Sequence, residues 1–166
     1  MRTQSIIGKL TEATHAQSFG GAYVALRVVL GSVFFSAGWT KISVGGWSAA
    51  SYLASADGPF SEWFRSLAGN GFVDVTNEWG LFFLGIALII GLLTRPAAML
   101  GIILMALYYL AHFTSNTAMG YVDEHVVYAA VLAVFAAGGA GHAFGLNAIV
   151  LGNLRKPNAV VKFLFG

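Results

Sequence analysis

The chain has 166 residues, enough for one domain, and is 57% apolar but only 10% charged. An average soluble domain carries about 25% charged residues, and so short a domain exposes much of its surface, so the charge needed to face water is missing. A formal charge of +2, without a basic stripe interleaved with aromatics, excludes nucleic acid as a partner, and the lack of cysteine excludes disulfides, thiolate metal sites and cysteine-ligated clusters.

The first twenty residues are mixed and polar. An apolar run then extends over 22–42, interrupted only by Arg27. It is too long for the core of a signal peptide and long enough to cross about 30 Å of hydrocarbon, so it reads as a retained first span. The small residues Ser36, Ala37 and Gly38 leave a cleaved leader as the alternative.

The segment 45–71 follows. Phe60, Trp63, Phe64 and Leu67 recur at helical spacing, which predicts an amphipathic helix. Asp57-Gly58-Pro59 breaks the chain before it, and Asp57 or Ser61 is expected to cap its start. Such a helix lies flat in the interface by default, or folds over the bundle mouth as a lid.

A second span is expected over 72–93, with Asp74 and Glu78 in the headgroup zone. Thr94-Arg95-Pro96 makes a tight turn, and Pro96 suits the first turn of the third span, 96–113. The fourth span runs over 123–141. It carries Ala129, Ala133, Ala137 and Gly141 at four-residue spacing, a face expected to pack within the bundle, with homodimerisation as the alternative. The tail 142–166 is expected to rest on the membrane interface. The fold class is therefore an all-α membrane protein, an antiparallel four-helix bundle with an amphipathic insertion.

Four spans put both termini on one side. Arg2, Lys9, Arg95, Arg155, Lys156 and Lys162 fall on that side and only Lys41 and Arg65 on the other, which predicts cytoplasmic termini in a plasma membrane. All four tryptophans (Trp39, Trp47, Trp63, Trp79) map to the outer face, as an aromatic belt would.

The stretch LRVVLGSVFFSAGWTKI (26–42) resembles the opening motif of the DoxX/DoxD family of small membrane proteins, with Arg27, Gly31, Phe34, Phe35, Gly38 and Lys41 on the family's positions. LGIALIIGLLTRPAAMLG (84–101) is similar to that family's second and third helices, and the resemblance extends over about 22–145. It implies a membrane subunit of a redox or respiratory complex in a prokaryote, one that handles a quinone or a small anion such as thiosulfate beside protein partner subunits. Gly145-Leu146-Asn147 stands where the family usually carries a serine–leucine–aspartate ending, which weakens any role for a carboxylate there.

Arg27 lies about 8 Å inside the first helix. It either snorkels to the headgroups or faces the bundle and holds an anionic or carbonyl group. The outer helix ends gather Lys41, Asp74, Glu78, His112, Asp123, Glu124 and His125 at similar depth. With Arg27, these residues other than Asp74 are the candidate ligand-binding set; no residue is assigned a catalytic role. Asp123 and Glu124 also suit a helix N-terminus through the dipole. His112 and His125 suggest two further cofactors, a b-type haem or, with Glu124, a metal. Two other functions remain open: a non-catalytic subunit or assembly factor, and a small-molecule or lipid carrier. The scarcity of intramembrane polar residues argues against an ion pathway.

Overall fold

A computed structural model describes residues 2–115, 120–138, 145–153 and 158–165, and in them the chain is helical with no strand. The helices are α1 (Arg2–Val44), α2 (Ala50–Ala54), α3 (Ser61–Ser66), α4 (Gly71–Ile90), α5 (Thr94–Ala111), α6 (Glu124–Gly138), α7 (Leu146–Asn153) and α8 (Ala159–Phe165). Three are long and apolar enough to cross a membrane: α1 over Gly20–Val44, α4 and α5. The apolar helix α6 is shorter at 15 residues, about 22 Å against the roughly 30 Å of a bilayer core. Residues 139–141, where the fourth span was expected to end, lie outside the described residues. The chain is an all-α membrane protein.

The first helix begins at Arg2 rather than near residue 22. No proline falls within residues 2–44, so nothing there interrupts the backbone ladder. Pro96, by contrast, sits in the first turn of α5, where its missing N–H is harmless.

Helices α1 and α4 meet along a glycine seam. A methyl group on Gly31 would stand 3.0 Å from the Gly85 carbonyl, one on Gly38 would press the Phe82 backbone, and one on Gly85 the Phe35 backbone. Gly31 and Gly38 are one heptad apart, so the seam stays on one face of α1. Small residues let backbones approach where lipid offers no hydrophobic gain, and the contact is built from dispersion. On the other side, α5 packs on α6, with Gly101 against Leu132. Leu30, Phe34, Leu81, Leu84, Leu88, Ala98, Met105, Leu132 and Phe135 fill the centre.

The small-residue face of the fourth helix does not serve this packing as expected. Ala129 touches the core, but Ala133 and Ala137 are exposed, and Gly141 lies outside the described residues. The helix instead directs Leu132 and Phe135 inward.

The segment 45–71 is stitched over one end of the bundle rather than lying free of it. The amides of Asp57 and Gly58 donate to the Ala111 carbonyl at 3.0 and 3.2 Å, taking up the last turn of α5. Thr114 returns two bonds, its amide to Asp57 Oδ1 and its hydroxyl to the Asp57 carbonyl. Asp57 is thus engaged with the α5 end, and neither it nor Ser61 caps α3, whose N-cap is Phe60 with no side-chain bond. The amphipathic face is also narrower than its spacing implied: Phe64 is buried and Leu67 half-buried, while Phe60 and Trp63 are exposed. We refer to this as the capped end of the bundle, and to the α4–α5 turn as the turn end.

Candidate functional site

The turn end is held by one amide. Helix α4 stops at Gly91, whose φ of 70° glycine adopts without strain, and Leu93 follows at φ 52°. Asn147, fully buried at the start of α7, accepts from the Leu93 amide at 2.9 Å and donates to Thr94 Oγ1 at 3.3 Å. Its own amide donates to the Gly91 carbonyl at 3.0 Å. The amide side chain both accepts and donates here, which a carboxylate would not do. Asn147 is therefore a structural staple of the turn end.

Arg27 belongs to the same end. It is 1% exposed, and its Nη1 lies 2.7 Å from where a methyl group on Gly91 would be. It is enclosed by protein beside the Gly91 turn rather than exposed on the surface of the bundle. It is also remote from the other candidates: Lys41 is 14 residues further along the same helix, about 21 Å away.

The capped end holds a cavity of about 500 Å³. Helix α1 contributes Val33, Phe34, Ala37 and Lys41; the capping segment Trp47, Ser48, Ala49, Ser51 and Tyr52; α4 Asn77 and Leu81; α5 Met105 and Tyr108; α6 Glu124, His125 and Tyr128. Apolar walls with a few convergent polar groups are the usual form of a small-molecule site. Lys41 stands over the Trp47 ring at 4.5 Å, so its charge is held at the cavity wall.

Of the seven candidate residues, Lys41, Glu124 and His125 line this cavity together. The other four do not. Glu78 is half-buried on α4 and acts on Lys41 electrostatically. Asp123 caps α6, accepting from the Val126 amide at 3.0 Å, and holds His125 Nδ1 at 2.6 Å. It thus orients the imidazole that reaches the cavity. His112 packs its ring on Tyr52 at 4.3 Å, with Nε2 3.0 Å from the Tyr52 carbonyl. The two histidines therefore do not share the cavity, and among the described residues no group of three or more His, Asp or Glu is placed to hold a metal. Asp74 accepts from the Ala49 amide at 2.8 Å and fixes the entry to α2.

Asn77, Tyr108 and Tyr52 are the residues that sequence reasoning missed. Asn77 is 7% exposed, its Nδ2 donates to the Tyr108 hydroxyl, and its Oδ1 has no partner among the described residues. Tyr52 donates to the Tyr108 carbonyl at 3.2 Å, and burial, followed by the neighbouring Tyr108, pushes its phenol up to about 12. It is a standing donor across the physiological range. An unpaired buried acceptor typically costs about 1–3 kcal/mol, so Asn77 is expensive as a purely structural residue. An amide six residues into an apolar helix was the available signal, but its neighbours Asp74 and Glu78 made the whole turn read as headgroup zone.

A second cavity of about 240 Å³ adjoins the first, between α2, α3, α4 and α5. Ala49, Tyr52, Asn77 and Tyr108 line both.

No curated protein and no solved structure matches the sequence. The family described as DoxX matches residues 22–114, which take in the span of α1, the capping segment, α4 and α5, and stop short of α6. The match covers more than half of the 166 residues, and its edges enclose most of the cavity wall and the α1–α4 seam, so the chain belongs to the DoxX family of integral membrane proteins.

Proposed function

We propose that the capped-end cavity binds the head of a membrane quinone, and that the chain serves as a membrane subunit of a larger redox complex. The observation that carries this reading is the convergence of Lys41, Asn77, Tyr108, Glu124 and His125 on one apolar-walled cavity of about 500 Å³. A quinone carbonyl needs a donor, which Lys41 supplies. Proton exchange with the ring oxygens needs a proton carrier, and His125, held by Asp123 and lining the cavity, is the side chain placed for it. A small anion such as thiosulfate would use Lys41 and a ring N–H of His125 instead. The Lys/Arg distribution supports placing the capped end outside the cytoplasm and both termini inside.

The test is extraction in mild detergent with quantification of retained quinone, followed by titration of the stripped protein with a short-chain quinone. The expected result is saturable binding that falls about tenfold in Lys41→Ala or His125→Ala, with Arg27→Ala leaving it unchanged because Arg27 lies at the turn end. Absence of both retained and saturably bound quinone sinks the reading. If thiosulfate competes with the quinone in a Lys41-dependent way, the anion shares the site.

A further inference from the structure

We propose that Asn77 is the receptor for a hydroxyl group on the head of a single-chain amphiphile, whose hydrocarbon chain lies in the smaller cavity. The inference rests on the capped-end cavity being a ligand site, and does not depend on its redox role.

The hydrogen-bond pattern points to a hydroxyl. The Nδ2 of Asn77 is spent on the Tyr108 oxygen, and Oδ1 is left as a buried acceptor with no partner among the described residues. The Tyr108 oxygen accepts that bond, so its own proton remains to be given. Side by side, the two residues offer one acceptor and one donor. A hydroxyl is complementary to both at once, donating to Oδ1 and accepting from Tyr108. At this pair a ketone or an ether satisfies only the tyrosine and leaves Oδ1 unpaired, so the pair itself favours a hydroxyl.

The position of Asn77 supplies the second half. It lines both the polar cavity and the smaller one, so a head bound there has a path for its chain. Apart from Thr76 and the shared Tyr52, Asn77 and Tyr108, the smaller cavity is lined by apolar side chains. Its members Phe72 and Trp63 are 78% and 52% exposed, and α4 and α5 are membrane-spanning helices. A hydrocarbon chain is the occupant that such an apolar lining admits.

The probes are 4-nonylphenol, which carries chain and hydroxyl, and 4-nonylanisole, in which a methyl ether replaces the hydroxyl. Binding to the full chain in lipid nanodiscs is read from the fluorescence of Trp47 and Trp63, with partitioning into empty discs subtracted. The phenol is expected to bind at least about tenfold tighter than the anisole. Unsubstituted phenol, lacking the chain, is expected to bind more weakly still. Asn77→Leu should erase the preference for phenol over anisole, and Tyr108→Phe, which keeps the ring and frees the amide, should reduce it. Equal binding of the two probes to the wild type, no binding of either, or a preference that survives Asn77→Leu overturns the proposal. These outcomes separate from those for the redox reading: a quinone bound through Lys41 without phenol selectivity removes only the role of Asn77. Phenol selectivity without quinone binding removes only the redox role.

Discussion

The two ends of the bundle each bury an asparagine, and they use it in opposite ways. At the turn end, Asn147 makes bonds to Leu93, Thr94 and Gly91, and the amide is consumed in holding the α4–α5 connection. At the capped end, Asn77 makes one side-chain bond and leaves its carbonyl oxygen without a partner among the described residues. A buried amide whose groups are met stabilises a fold, whereas one left half-met costs stability and marks a place where something else is to bind. Burial of a polar residue in this membrane protein does not by itself identify function; the state of its hydrogen bonds does.

The largest effect is expected at the turn end. Asn147→Ala removes two side-chain bonds and leaves the Leu93 amide without its partner, so thermal unfolding in detergent should show a loss of about 3 kcal/mol. A wild-type midpoint in that variant would break the contrast. The opposite sign is expected for Asn77→Leu: replacing an unmet acceptor by an apolar side chain should raise stability by about 1 kcal/mol even as ligand selectivity disappears. A loss of stability there would mean that Asn77 is a staple like Asn147. The smallest effect belongs to the exposed stripe on α6. Ala133→Leu should shift stability by less than about 0.5 kcal/mol in the monomer, and crosslinking should find the oligomeric state unaltered. A change in oligomeric state would instead assign that face to a second copy.

The three long spans and the turn between α4 and α5 were legible in the sequence, because hydrocarbon imposes a length on any helix that crosses it. The glycine seam was present as Gly31 and Gly38 in the family motif, yet its partner Gly85 was not distinguishable from the other glycines of an apolar run. The candidate site was half legible. Lys41, Glu124 and His125, expected at similar depth at the helix ends, line one cavity, whereas Arg27, expected near the opposite end, lies about 21 Å from Lys41 along α1. His112 carried the right depth on the wrong side: helical rotation, which depth does not report, turns it onto Tyr52 rather than into the cavity. Asn77 escaped notice because a polar residue near a helix start reads the same whether it meets water or protein.

The sequence by itself determined that this chain lives in a bilayer and where its three long apolar spans run, since these follow from hydrophobic length and from one-dimensional position. Tertiary structure alone decided which helix faces meet, that the segment 45–71 closes over α5, and which of two buried asparagines has an unmet oxygen. Those depend on the angle at which each helix is turned and on hydrogen bonds between residues far apart in the chain, such as Leu93 with Asn147 and Asn77 with Tyr108. Neither is fixed until the helices pack.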